Sequence, residues 1–428
     1  MPHQTALTVV AQVRPEATDD LRALLATMGD GVANDDVLDF GSLPGLHFAR
    51  LVLVEESTDL KGERLPASLI YLSDLDIPKN RHLGELVDAG GDGIDRIFGH
   101  CAGYPETPAT REQRLAYLRG HVVTEQARYV NTIGRTAHQI RDEAQLRDRL
   151  QAYLDEHADE LRGRGSAEIR GELQQLVDGD PDLRWALQPA EKTELGFRLR
   201  ELVHAIGVPL LVLVVVLVFL PVVVIGLLVY LVLLRWHERR DPAPHVKPPP
   251  ELVQELAALE DHLVQNPFTA IGLVKPGIFR RLTLRAILMG IDYSTRHVFN
   301  HGNLAGVKTI HFARWVSLDN GRRVMFASNY DGSLESYMDD FIDKIAWGLN
   351  IVFSNGYGYP RVRFLILDGA RDELAFKDYL RRHQVPTRVW HSPYGELSAA
   401  NINNNERIRA GLHGDAGAET AEQWLHNL

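Results

Sequence analysis

One cysteine, Cys101, occurs in 428 residues. An internal disulfide framework and a thiolate-rich metal cluster are therefore excluded. An excess of positive charge is missing too: the formal net charge is −11, which argues against a general nucleic-acid binder. The opening stretch, MPHQTALTVVAQVRPEATDD, lacks the basic and long apolar regions of a secretory signal. No zinc-ligand spacing, P-loop or nucleophile elbow occurs. Gly91-Asp92-Gly93 and Gly356-Tyr357-Gly358 fail the spacing of a dinucleotide fingerprint.

What the chain does have is a long apolar run. Residues 206–234 carry no charge over 29 positions, more than the roughly 20 that a helix needs to cross a bilayer core. Arg198 and Arg200 flank one end, and Arg235, Trp236, Arg239 and Arg240 the other, as interfacial anchors. Pro221 divides the run into halves of about 20 Å each as helix, too short to cross singly. Two forms are open: one kinked span, or a re-entrant hairpin turning at Pro221.

The run separates two copies of one unit. Residues 5–13, 46–54, 67–73 and 127–133 read as strands, with helices at 16–28 and 80–98 and a helical insertion at 111–126. After the run, strands are expected at 267–275, 308–318, 323–328 and 361–367. Helices are expected at 277–298, 333–353 and 371–383, with a short extended piece at 387–391. Both halves follow the order βαββαβ of a ferredoxin-like unit. His47-Phe48-Ala49-Arg50 returns as His311-Phe312-Ala313-Arg314, 264 residues on. Ser73 and Asp76 return as Ser328 and Asp331, and Gly103-Tyr104-Pro105 as Gly358-Tyr359-Pro360, each 255 residues on. Such agreement marks an internal duplication.

The expected fold is α+β: two ferredoxin-like repeats, 1–137 and 266–410, packed as an α/β barrel-like sandwich. A helical arm (138–202), a membrane segment (203–236), a Pro-rich linker with a short helix (237–265) and a polar, partly disordered tail (411–428) complete the chain. Repeats that pair with each other must lie on one side of the bilayer. This favours the hairpin, with both repeats cytoplasmic.

Candidate chemistry centres on the repeated motif. Alternation along a strand puts His47 with Ala49 on one face and Phe48 with Arg50 on the other. His311 and Arg314, with their counterparts His47 and Arg50, are candidates to line a shared cavity as proton carriers and anion ligands. The competing reading makes each Arg a partner of a carboxylate such as Asp76 or Asp331, and the motif a folding constraint. In Ser328-Asn329-Tyr330-Asp331-Gly332-Ser333, Asp331 is either an acid/base group, with Tyr330 beside it at a pocket mouth, or a helix cap. On 277–291, Arg280, Arg281 and Arg285 share a helix with apolar residues, which suits an anionic membrane surface. Trp236 is a further membrane contact. No metal-ligand set is identifiable.

Tandem ferredoxin-like repeats with Asp331-Gly332 after a strand resemble the dimeric α/β barrel superfamily and, within it, the dye-decolourising peroxidases. The chain carries Asn-Tyr-Asp-Gly at the place of that family's Gly-x-x-Asp-Gly pattern. The resemblance implies haem in the second repeat, with Asp331 and Arg314 on its distal side and an axial ligand among His297, His301, His383 and His391. Two functions are therefore expected in competition. One is a membrane-tethered oxidoreductase-like protein that binds haem or an apolar small molecule in the second repeat. The other is a non-catalytic membrane scaffold or lipid-binding module. The lipid bilayer is the expected partner, nucleic acid is not, and homo-oligomerisation is left open.

Overall fold

The computed structural model describes residues 4–29, 37–189, 195–300, 302–412 and 420–428. Its strands are β1 (Thr5–Gln12), β2 (Leu46–Val54), β3 (Ser68–Leu75), β4 (Ala127–Val130), β5 (Gln265–Leu273), β6 (Ile310–Leu318), β7 (Arg323–Asp331) and β8 (Val389–His391). In the first half the helices are α1 (Thr18–Gly29), α2 (Lys79–Phe98) and α3 (Arg111–Gly120), followed by α4 (Ala137–Glu156) and α5 (Ser166–Gly179). The apolar run forms α6 (Leu195–Val218) and α7 (Leu220–Arg240). The second half has α8 (Ile278–His297), α9 (Leu334–Phe353), α10 (Glu373–His383), α11 (Ala399–Leu412) and α12 (Ala421–Leu425).

Two four-stranded antiparallel sheets result, in the orders β1-β3-β2-β8 and β5-β7-β6-β4. Each half lends its last strand to the other. β8, from the C-terminal half, pairs with β2, and β4, from the N-terminal half, pairs with β6. The segments that lead into these strands edge the opposite sheets. Val10 N donates to His121 O and Val123 N to Thr8 O, and Val385 N donates to Thr269 O. Both lenders thus run from one sheet to the other and close the eight strands into a ring. The extended piece at 387–391 is therefore a structural strand. The stretch 361–367 is not: it folds into two two-residue strands, Val362–Arg363 and Leu367–Asp368, which pair only with each other. Phe364 and Leu365 take positive φ there, and their amides donate to the Glu238 carboxylate, so the run cannot extend.

Strand alternation sorts the apolar residues into layers. Leu7, Val9, Leu51, Leu69 and Tyr71 face α1 and α2, while Phe268, Trp315, Phe326 and Tyr330 face α8 and α9. Between the sheets, Val52, Ile70 and Leu72 meet Val316, Met325 and Ala327 in one shared core. The arm is no detached stalk. α4 and α5 pack on α11, and Trp424 of α12 is fully buried against them. Gly411 makes this possible, since a Cβ there would lie 2.0 Å from the Trp424 ring. The tail after 420 is thus ordered; 413–419 lie outside the described residues.

The apolar run breaks at Phe219, two residues before Pro221, which sits in the first turn of α7 where its missing N–H costs nothing. Both helices are long and apolar enough to cross a membrane, and neither is covered by the rest of the chain.

One buried titratable group in the first half sets an acid limit. His82 of α2 is fully buried, with Nε2 2.8 Å from the Tyr71 hydroxyl and Nδ1 without a hydrogen bond. Burial pushes its imidazole down from 6.5 to about 4. As pH falls through that window the unfolded chain takes up a proton that the folded chain refuses. Stability then drops by about 3 kcal/mol in all. His82→Phe should flatten the loss of stability measured by denaturant titration between these pH values; an unchanged slope would contradict the assignment.

Candidate functional site

The repeated motif sits where the two sheets meet. Both copies contain a β-bulge at the histidine: pairing slips between Leu46 and Phe48 against β3, and between Ile310 and Phe312 against β7. The extra residue breaks simple alternation. His47 and His311 therefore do not share a face with the alanines, as unbroken alternation requires. They turn inward, with His47 5.2 Å from the Phe312 ring and His311 5.6 Å from the Phe48 ring.

Each arginine crosses to the opposite sheet. Arg50 donates through Nη1 to Phe268 O (2.9 Å) and Thr269 Oγ1 (3.0 Å), and through Nη2 to Ser328 O (2.9 Å) and Asn329 Oδ1. Arg314 mirrors it, donating to Leu7 O (2.8 Å), Thr8 Oγ1 (3.4 Å), Ser73 O (3.0 Å) and the Asp74 carboxylate. Ser328 and Asn329 stand 255 residues after Ser73 and Asp74, so donors and acceptors were duplicated together. Burial pushes the Arg50 guanidinium down to about 9 against the pull of Asp74, which leaves it charged at neutral pH. Only about 10 Å³ stays open among Phe48, Phe312 and the two arginines, less than a water molecule needs. That gap between the two arginines is too small for an organic ligand.

The histidines form matched latches. His47 Nε2 lies 2.6 Å from Asp76 Oδ1, and Asp76 Oδ2 accepts from Ala137 N at 2.7 Å, at the start of α4. His311 Nε2 lies 2.6 Å from Asp331 Oδ1, and Asp331 Oδ2 accepts from Ala399 N at 2.7 Å, at the start of α11. Each carboxylate meets a helix N-terminus, where negative charge is favoured. Asp331 therefore caps α11, while Ser333 caps α9. His47 Nδ1 also lies 2.6 Å from the Tyr394 hydroxyl. Tyr330 is not part of this group. It faces the helices, stacked at 4.2 Å on Tyr337, and burial pushes its hydroxyl up.

The membrane-contact candidates divide. Arg281 and Arg285 are exposed and Trp236 is 47% exposed. Arg280 is fully buried: its Nε donates to Asp241 Oδ2 at 2.7 Å and its Nη1 to Asn355 Oδ1 at 3.3 Å. It points to the sheet side of α8 and fastens the end of α7, so it is a tether and not a surface contact.

The residues present do not fit haem. The apolar cleft between α8 and α9, about 140 Å³, is lined by Phe299, Leu304, Trp315, Phe326, Phe341 and Trp347 among others, with no His, Cys or Tyr to ligate iron. Arg314 and Asp331 lie on the other face of the sheet, held as described. Among the candidate axial residues, His297 Nε2 lies 2.7 Å from His204 Nδ1, His383 Nδ1 contacts Tyr379 O, and His391 belongs to β8. His301 lies outside the described residues. The carboxylates of Glu335, Asp339 and Glu373 converge within 4.8 Å, but the Lys377 ammonium occupies their centre, 2.6 Å from both Asp339 and Glu373. The cleft itself escaped sequence reasoning, because its aromatic residues look like ordinary core; exposed Trp347 on an apolar-faced helix was the available signal.

No family model, curated protein or solved structure matches this chain.

If the two latches are equivalent folding elements, Asp76→Asn and Asp331→Asn should each destabilise the chain by about 1–3 kcal/mol in denaturant titration, through loss of a charged acceptor. A marked loss in only one of them would contradict this equivalence.

Proposed function

We propose that this chain is a non-catalytic lipid-binding module, a tandem ferredoxin-like α/β barrel seated on a membrane by a re-entrant hairpin. The observation that carries this reading is that both ends of the apolar run are fastened to one helix, α8. At its C-terminal end, Arg296 pairs with Glu201 (2.6 Å), Tyr293 Oη donates to Ala205 O (2.7 Å) and His297 meets His204. At its N-terminal end, Arg280 pairs with Asp241, and the His237 ring stacks 4.7 Å from Phe279.

Phe279 and His297 are about 27 Å apart along α8, and the arms of the hairpin from 205 and 234 to the break are each about 20 Å long. A wedge of these dimensions reaches less than about 20 Å from its base, short of the roughly 30 Å of a bilayer core. It enters one leaflet and returns, leaving both repeats on the cytoplasmic side.

The distribution of exposed apolar residues supports the same seating. Among the described residues before 131, no large hydrophobic side chain is exposed. On the second half Ile278, Leu282 and Met289 form an exposed stripe on α8 beside the hairpin, flanked by Arg281 and Arg285. Phe364 and Ile366 stand exposed near the end of α7. Such a surface suits the headgroup boundary of a bilayer. The cleft between α8 and α9 then opens beside the lipid and takes an acyl chain. The oxidoreductase-like reading has no comparable support, since Arg314, His311 and Asp331 are bonded into the fold between the sheets.

Buried Cys101 leaves the background silent for labelling by a membrane-impermeant maleimide. In oriented vesicles, Lys61→Cys and Arg371→Cys should react from the same side and Phe219→Cys from neither. Reaction of the first two from opposite sides would overturn the proposal.

A further inference from the structure

A second cavity adjoins the acyl-chain cleft. It holds about 510 Å³ and is lined by Asn131, Arg135, Asn303, Lys308, Asn403 and Arg407 among others. The two cavities share one loop. Phe299, Leu304 and Ala305 line the apolar cleft, while Asn300, Gly302 and Asn303 line the polar one. The described residues of one short loop therefore border both cavities.

The polar cavity is built for an oxyanion. Its lining carries three cations, Arg135, Lys308 and Arg407, against one carboxylate, Glu406. Arg135 is 4% exposed; it pairs with Glu406, and its Nε lies 3.3 Å from Glu143 yet has no hydrogen bond. Lys308 and Arg407 are exposed and have no carboxylate within ion-pair distance among the described residues. Asparagine side chains border them, three of them donating to neighbouring groups of the fold, and at Gly302 (φ +70) a Cβ would lie 3.1 Å from Asn403. The loop follows the C-terminal end of α8, where the base of the hairpin is fastened, which is headgroup level in the proposed seating.

We infer that the two cavities form one site for a phosphate-headed single-chain amphiphile, its tail between α8 and α9 and its phosphate among Arg135, Lys308 and Arg407. This rests on the lipid-binding reading above and adds the identity of the head. Arg135 is held in place by buried Glu143 and by exposed Glu406, so its guanidinium is fixed at the wall of the polar cavity. Lys308 and Arg407 supply charge that the fold does not neutralise.

The test is competition binding, read by native mass spectrometry, to the full chain in nanodiscs. The probes are a single-chain phosphate monoester lipid, the same chain with a phosphocholine head, and inorganic phosphate. The phosphate monoester should bind about tenfold tighter than the phosphocholine lipid, as expected for two uncompensated cations at a charge-assisted site. The double variant Lys308→Gln/Arg407→Gln should erase that preference and leave phosphocholine-lipid binding unchanged. Gly348→Leu should abolish binding of both lipids, because position 348 lines the cleft and its Cβ meets nothing nearer than 3.9 Å. Equal affinity for the two heads, or a preference that survives the double variant, would overturn the inference and leave the lipid cleft standing. Inorganic phosphate bound as tightly as the monoester lipid, and indifferent to Gly348→Leu, would also overturn it by making the polar cavity a separate site. Absence of lipid binding, or indifference of lipid binding to Gly348→Leu, would remove the lipid-binding reading itself.

Discussion

Two buried guanidinium groups, Arg50 and Arg314, hold the halves of this chain together, and most of the remaining structure follows from them. Each leaves its own sheet and satisfies backbone carbonyls and side-chain oxygens of the other. Their shared space contains one carboxylate, Asp74, so hydrogen bonds to carbonyl groups supply much of what water would otherwise provide. Removing one partner from such a buried network costs on the order of 3–5 kcal/mol, because the charges or acceptors left behind cannot be rehydrated. That magnitude is a large share of the stability of a typical domain. It explains why His-Phe-Ala-Arg stands in both halves: the motif is needed twice to close one ring, with no catalytic role required.

Closure by exchanged strands constrains the apolar run that joins the halves. β4 and β8 each run from one sheet to the other, and the sheets share the core of Val52, Ile70, Val316 and Met325. A spanning helix between the halves would have to be undone for that core to form. A hairpin whose two bases are clamped along α8 is compatible with it. In the proposed seating, the same clamps bring the most apolar surface of the second half, and the cleft behind it, next to the lipid.

Much of the architecture was legible in the sequence. The 255-residue offset predicted two equivalent sheets, and strands 46–54 and 308–318 appear within two residues of their expected ends. A folding constraint was one of the two readings of the motif open in the sequence, and the crossed arginines fit it. Three features were not legible. The bulge at each histidine reverses its side-chain direction, and pattern alone does not reveal bulges. Residues 361–367 have strand composition, but positive φ at Phe364 and Leu365 and the pull of Glu238 fold them into a small ribbon. Trp424 sits in a segment whose composition reads as a loose tail, and its burial depends on helices more than 200 residues earlier. In each case a tertiary contact overrode a local signal. The site followed the same rule: Arg314, His311 and Asp331 were found by their repetition, whereas the cleft, whose lining residues look like core, was not.

Native-state hydrogen exchange on the full chain in nanodiscs tests the shared closure most directly. Amides of Val52 and Ile70 in one sheet and of Val316 and Met325 in the other should open with the same free energy, and Arg50→Ala should lower both together. Sheets that open independently, with the second untouched by that substitution, would contradict a single ring held by crossed arginines.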